Sequence, residues 1–420
     1  MPETRLMTDT MDAKTSDPEA AGMMQGFPPA PDKVIWPHDG SGGRFPNSRW
    51  SFSHMRELTA TAAVRRGAGP VSALPYGLRD DLDDMAFTTL DGEATTWGAA
   101  METMFTDGLV VLHRGAVVQE RYFGALTPER PHLAMSITKS FTGLLASMLA
   151  HEGLLDPQAL VTRYLPELAG GAYGDATVRQ VMDMTIGVDY SEIYTDPKAT
   201  VALYAAASGM APQRPDYDGP QTIFDFLQIL KKAGEHGLAF AYKTCNTEVL
   251  GFIVQRIAGM RLAELLSERI WQKIGAEEDA YLMVDRSGMP VCGAGLNLAL
   301  RDMARVGEMM RLGGVFNGQR IAPEAVVADI SGGAERAHFE KAGYLTLPGW
   351  SYRSQWWVSH NDLGAYSARG IHGQALHIAP KAEMVIARFA SHPTAANGNS
   401  VLDKVSLPGY LALAERLMKG

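Results

Sequence analysis

Ser136 and Lys139 stand three residues apart in Ser136-Ile137-Thr138-Lys139. On a helix that spacing puts two side chains on one face, about a turn apart. A hydroxyl beside an ammonium can become a nucleophile once a group takes its proton and donors receive the oxyanion. At the first turn of a helix, unpaired N–H groups and the helix dipole favour developing negative charge. By itself Ser-x-x-Lys is a short pair of common residues, and the plain alternative is a helix-start serine followed by a solvated lysine.

The elements around the pair are readable from periodicity. Phe141, Leu144, Leu145, Met148 and Leu149 recur at helical spacing, with small Gly143, Ala146 and Ser147 between them and Gly153 as a stop. Upstream, Leu109 to His113 and Ala116 to Phe123 flank Arg114-Gly115 and read as a β-hairpin. Downstream, Thr177 caps a helix over 178–184, and helical spacing recurs over 224–230, 247–257, 262–270 and from Asp302. Residues 187–222 are rich in Gly, Asp, Pro and Tyr and are expected to form a long irregular functional loop. The segments 353–358, 374–378 and 383–390 read as strands, and 402–418 as a closing helix. The fold expected is α+β: one antiparallel sheet built from both chain ends and flanked by helices, with a helical region inserted. Residues 1–45 are expected to be an extended or partly disordered arm, 46–135 with 300–420 the sheet domain, and 136–299 the helical domain.

The chain has 420 residues, 46% of them hydrophobic, and a net charge of -9, which argues against a general polyanion binder such as a nucleic-acid-binding protein. No segment approaches the ~20 apolar residues of a membrane span. Cys245 and Cys292 form neither a CxxC motif nor a disulfide framework, which fits a reducing compartment, and a cytoplasmic location is expected. His-Glu-x-x-His is absent, and His372 with His377 lacks a third partner, so neither metal nor other cofactor is expected.

Motifs in order sharpen this picture. Ser136-Ile-Thr-Lys-Ser-Phe-Thr-Gly, Gly153-Leu-Leu-Asp, Tyr164-Leu-Pro-Glu-Leu and Thr177-Val-Arg-Gln-Val-Met-Asp-Met resemble the serine β-lactamase and penicillin-binding-protein superfamily, in its class C and esterase branch. Val188-Asp-Tyr-Ser-Glu-Ile-Tyr-Thr-Asp-Pro, Gln355-Trp-Trp and Gly370-Ile-His-Gly-Gln resemble the 6-aminohexanoate-dimer hydrolases, which degrade nylon oligomers. The resemblance runs from about Asn47 to the C-terminus. It implies Ser136 as the acylated nucleophile, Lys139 as its proton partner and Tyr242 as a general base stabilised as phenolate. It further implies the N–H groups of Ser136 and Ile371 as oxyanion donors, with Gly370 allowing close backbone approach. Tyr194 would reach the scissile amide and Trp357 would wall the acyl pocket. Because Trp356 and Trp357 are adjacent on a strand, they must face opposite sides. Asp189 and Asp196 are expected to be loop carboxylates, and His372 a structural histidine. The family leads to the expectation of a homodimer acting on a small-molecule amide or ester.

Three departures qualify the substrate. Ala368-Arg369-Gly370 stands where β-lactamases carry Lys-Thr-Gly, and Tyr242-Lys243-Thr244 replaces Tyr-x-Asn. Both speak against β-lactam turnover, and Arg369 reads equally as a solvated residue or a partner for a substrate carboxylate. Ala205 occupies the position where the nylon-oligomer enzymes can carry an acidic residue for the substrate's amino end. The expected activity is therefore hydrolysis of small linear amides or short-chain esters. Carboxylesterase, D-amino-acid amidase or β-lactamase-like activity is the alternative, followed by a non-catalytic scaffold.

Overall fold

The computed structural model describes residues 11–420 except 38, 195, 214, 215, 397 and 399. The beginning of the proposed arm, residues 1–10, lies outside the described residues. Strands β1 (Thr106–His113) and β2 (Ala116–Tyr122) form the expected hairpin. Arg114 and Gly115 turn it at φ 52° and 80°, the left-handed pair that matches strand twist. Along β1, Val110 and Leu112 enter the larger core while Leu109 and Val111 enter the smaller one, so period-two alternation serves two apolar layers.

Helix α1 (Ile137–His151) follows β2 and lies in the larger core, every residue from Ile137 to Leu149 being buried. Gly143 permits its approach to the neighbouring chain: an added Cβ would lie 2.2 Å from the Ser354 carbonyl oxygen. Helix α2 (Thr244–Ala258) packs against α1, and helix α3 (Leu300–Arg311) packs under the sheet. The remaining strands are β3 (Ser351–Arg353), β4 (Trp356–Val358), β5 (Tyr366–Gly370), β6 (Gln374–Ala379) and β7 (Met384–Ala390), followed by helix α4 (Val401–Met418). The main sheet is antiparallel with strand order β3-β4-β5-β6-β7-β1-β2. Met384 pairs with His113 at the seam where the two ends of the chain meet. The fold is thus the β-lactamase/transpeptidase-like α+β arrangement expected.

A second, four-stranded sheet has the order Thr61–Val64, Ala280–Met283, Leu296–Leu298 and His132–Leu133. Its last strand delivers the chain to Ser136: Leu133 pairs with Asn297, and the Ala134 N–H donates to the Leu296 carbonyl at 2.8 Å. The cap at Thr177 forms as a reciprocal capping box with Gln180, although its helix ends at Met182.

Some local expectations are overturned. The single strand over 353–358 is two strands, β3 and β4, because Ser354 and Gln355 turn at φ 49° and 69°. Buried Gln355 secures that turn by accepting from the Thr247 hydroxyl at 2.7 Å and donating to the Met182 carbonyl at 2.9 Å. The 187–222 stretch is not irregular throughout, since Thr200–Ala207 is a helix burying Val201, Tyr204 and Ala207. Its alanine-rich composition favours helix despite the turn-forming residues on either side. The helical run from Leu262 is α-helix only to Leu266 and then a π-turn over Ser267–Trp271. The described part of the arm is anchored where Ile35 is buried against Trp50 and Ala125 with Met23 and Met24 beside them, while Phe27 and Trp36 stay exposed. Isolated apolar anchors among polar residues leave no period to read.

Candidate active site

The Lys139 ammonium donates to the Ser136 hydroxyl at 2.9 Å and to the Gly293 carbonyl at 2.7 Å. Lys139 is 1% exposed, and this burial pushes its pKa down to about 8, opposed by the negative charges of Glu192 and Glu248. An ammonium in that range yields the neutral amine within the physiological window. Met135, just before Ser136, holds φ 50°, and His372, just after Ile371, holds φ 63°. Left-handed backbone in such residues costs of order 1 to 3 kcal/mol and is tolerated where surrounding structure enforces it. Here it sits beside the Ser136 and Ile371 N–H groups, the two expected to receive an oxyanion.

Tyr242 stacks on Trp357, with centroids 5.3 Å apart and an interplanar angle of 29°, and its ring lies 5.2 Å from the Lys139 ammonium. Its hydroxyl is buried and, among the described residues, has no hydrogen-bond partner of good geometry. Burial raises the Tyr242 pKa well above the ordinary phenol value, Glu192 adds to this, and the Ser136 hydroxyl acts in the opposite direction. The phenolate expected at Tyr242 is therefore disfavoured, and the free protein holds a neutral phenol beside Ser136.

Ser136, Ile371, Tyr194 and Ala205 line one cavity of about 1000 Å³, large enough for an extended ligand. Ala202, Ala206 and Met210 make an apolar wall beside Ala205, and Trp36 and Asp39 from the N-terminal arm contribute to the lining. Asp196 lines the same cavity and accepts the Lys198 N–H, while Asp189 lies outside this lining. Trp357 and Gly370 also stand outside it. Trp357 is 1% exposed and backs Tyr242. Gly370 meets the 134–136 segment from behind: a Cβ there would lie 2.8 Å from the Ala134 carbonyl oxygen. Trp356 faces the opposite core and donates to the Ser140 carbonyl at 3.1 Å. His372 holds the His392 carbonyl through Nδ1 at 2.7 Å and packs on Phe52. Arg369 is not a solvated strand residue, because it pairs with Asp403 and lies 5.3 Å from the Trp357 ring centroid.

Two carboxylates escaped the sequence reading. Glu192 accepts the Tyr194 hydroxyl at 2.6 Å, the Thr244 hydroxyl at 2.6 Å and the Thr244 N–H at 2.9 Å, which places it at the positive end of α2 and ties Tyr194 to the site. Glu248 is fully buried and accepts Tyr204 at 2.6 Å, the Gly293 N–H at 2.8 Å and the Cys292 N–H at 3.0 Å. It thereby holds Gly293, the residue whose carbonyl accepts from Lys139, and burial pushes its own pKa up to about 7. A lone Glu amid the apolar periodicity of α2 was the available signal for the second. For the first, proximity to Tyr194 was the only sequence clue. Among the described residues no group of three or more His, Cys, Asp or Glu is placed to hold a metal ion, and no helix is long and apolar enough to cross a membrane.

A buried Ser-Lys pair at the head of a helix, between an antiparallel sheet and a helical region, defines a hydrolase of the β-lactamase and transpeptidase-like fold. The Beta-lactamase family model matches residues 98–404, and the chain belongs to this family. It is 38% identical over 350 residues to the 6-aminohexanoate-dimer hydrolase of Paenarthrobacter ureafaciens, covering 83% of this chain and 86% of that one. A solved Bacillus anthracis structure, provisionally named a 6-aminohexanoate-dimer hydrolase, superposes with a TM-score of 0.83 at 36% identity, covering 93% of this chain and 99% of that one. A D-stereospecific amidohydrolase from Streptomyces shares the fold alone, with a TM-score of 0.53 and 14% identity over 75% of this chain and 98% of that one.

Proposed function

We propose that this protein hydrolyses small linear amides or short-chain esters through an acyl-enzyme on Ser136, with Lys139 and Tyr242 moving the protons. The observation carrying the proposal is the buried 2.9 Å contact between Lys139 and Ser136, opening onto the cavity that Ile371 also lines. Neutral Lys139 takes the Ser136 proton as Oγ attacks the carbonyl carbon, and the N–H groups of Ser136 and Ile371 receive the oxyanion. As the tetrahedral species collapses, the Tyr242 phenol protonates the departing amine or alkoxide and is reprotonated by the Lys139 ammonium. Water then attacks the acyl carbon, passes a proton to Lys139, and Ser136 leaves with a proton returned. The neutral state of Tyr242 suits proton donation to a leaving group better than permanent service as a base.

The apolar wall from Ala202 to Met210 suits an alkyl chain, and relatedness to the Paenarthrobacter enzyme makes 6-aminohexanoate dimer a test substrate. Ala205 favours the carboxylesterase reading for uncharged substrates, because it offers no countercharge to an ammonium. Buried, unpaired Cys245 and Cys292 support action in the reducing cytoplasm, and the homodimer is proposed from the family resemblance alone. The test is a panel of p-nitrophenyl acetate, 6-aminohexanoate dimer, D-alanyl amide and nitrocefin, run on the parent and Ser136→Ala. Turnover of the first or second by the parent alone, with fluorophosphonate labelling lost in the variant, is expected. Parental ester turnover by Ser136→Ala refutes the acyl-enzyme.

A further inference from the structure

Behind the strand that leads to Ile371, on the far side from the cavity, two guanidinium groups share one narrow cleft. Arg369 on β5 and Arg388 on β7 are both cross-strand partners of Ala375 on β6, so all three fall in one row across adjacent strands. Cross-strand partners point to the same sheet face, and the methyl of Ala375 leaves a notch between two long cations. The cleft they line has a volume of about 30 Å³ and is closed by Tyr410, Ser400 and Asp403 of the α4 region.

The charges do not balance. Asp403 is the carboxylate in this lining, and its oxygens are engaged by Arg369, by the Thr346 hydroxyl at 2.8 Å and by the Ser400 N–H at 3.3 Å. Arg388 is 3% exposed; it donates to the Gly373 carbonyl at 3.0 Å and to the Met104 sulfur, with no ion pair among the described residues. His377, which pairs with Ser367 at 2.8 Å, is kept neutral by burial. Two cations thus face one anion, in surroundings where an unbalanced charge is expensive. Polar capacity is also unspent: Arg369 Nη1 and the hydroxyl of Tyr410, a residue 4% exposed, are buried without a hydrogen-bond partner among the described residues. The Arg388 guanidinium lies 5.7 Å from the Tyr410 ring centroid, and the N-terminus of the 18-residue helix α4 adds partial positive charge.

We propose that this cleft binds one halide ion, held by Arg388, Arg369 Nη1 and the Tyr410 hydroxyl. A monovalent anion makes the cluster neutral and accepts from the unspent donors at once. The narrowness of the cleft suits a single small ion such as chloride or bromide. A bound ion braces the turn after β5, because Arg388 already holds the Gly373 carbonyl. The site is independent of the acyl-enzyme reading, and its test does not use activity.

Crystals soaked in sodium bromide and measured at the bromine absorption edge are expected to show an anomalous peak between Arg369, Arg388 and Tyr410. In solution, melting temperature is expected to rise with sodium chloride over sodium gluconate at equal ionic strength, by about 1.5 °C per tenfold excess over the dissociation constant. Arg388→Met removes the excess charge, so its melting is expected to be the same in both salts and its crystals to lack the peak. Should that variant not fold, Tyr410→Phe retains the packing and is expected to bind chloride about tenfold more weakly. Ordered density without bromide signal in the cleft, identical melting of the parent in the two salts, or an undiminished halide response in Tyr410→Phe overturns the proposal.

Discussion

Replacing Glu248 by Gln removes a negative charge near Lys139 while keeping the side chain's shape. The connection runs from the Lys139 ammonium through the Gly293 carbonyl, at 2.7 Å, and from the Gly293 N–H to Glu248, at 2.8 Å. With one residue between them, the two charges are no more than about 9 Å apart. At an effective dielectric of about 20, their attraction is about 2 kcal/mol, equivalent to about 1.4 pH units in the Lys139 titration. The sign follows from Lys139 being a base whose charged form the carboxylate favours, so losing the carboxylate lets the proton leave at lower pH. Because Glu248 titrates near about 7 and Lys139 near about 8, the carboxylate is largely charged where the lysine titrates. The assay is kcat/KM for p-nitrophenyl acetate from about pH 6 to 10. In the parent it is expected to rise through a limb near about 8 as Lys139 becomes neutral. In Glu248→Gln that limb is expected about one unit lower. The plateau is also expected to fall, because the Gln amide nitrogen faces the Cys292 N–H and cannot accept from it. A fallen plateau with an unmoved limb, or a limb shifted upward, refutes the electrostatic coupling and leaves Glu248 a purely structural role.

Gly370→Ala places a methyl 2.8 Å from the Ala134 carbonyl oxygen, where only backbone can yield. It is expected to lower kcat about 100-fold, as the Ile371 N–H shifts away from Ser136, and to cost about 1 to 3 kcal/mol in urea unfolding. Gly143→Ala sets a methyl 2.2 Å from the Ser354 carbonyl oxygen and is expected to cost about 3 kcal/mol or more in urea unfolding. Trp357→Leu removes the ring stacked on Tyr242 and is expected to reduce kcat about tenfold by loosening the phenol, with KM nearly unchanged, because Trp357 lies outside the cavity lining. An increase in KM alone would instead mark Trp357 as a substrate contact.

The fold was readable where one physical signal dominated. Helix α1, the hairpin β1-β2 and the cap at Thr177 each follow from periodicity or a capping residue, and each formed close to its expected bounds. The convergence of distant strands was legible because the early hairpin and late strands needed a common sheet. The turn at Ser354-Gln355 was hidden, since its left-handed residues are not glycines and its reward is the burial of Gln355 against two other segments. At the site, Ser136 and Lys139 are three apart in the chain, so their contact was a matter of helix geometry. Glu248 and Glu192 act across loops: one fixes the 292–293 peptides and the other the start of α2. No local pattern announces a partner that far away. The protonation of Tyr242 was hidden for a related reason, because it depends on burial by Trp357 and Tyr352, which come from strands more than a hundred residues on.

The pairing of β7 with β1 also sets an order of events during synthesis. Strand β1 is complete roughly 270 residues before β7 is made, a delay of about 15–50 s on a translating ribosome. Through that interval the hairpin exposes an unpaired apolar edge, and for most of it α1 lacks the Ser354 turn that closes around Gly143. Nascent chains therefore pass through a long aggregation-prone stage, and the complete site arrives with the last forty residues rather than with the segment that bears Ser136.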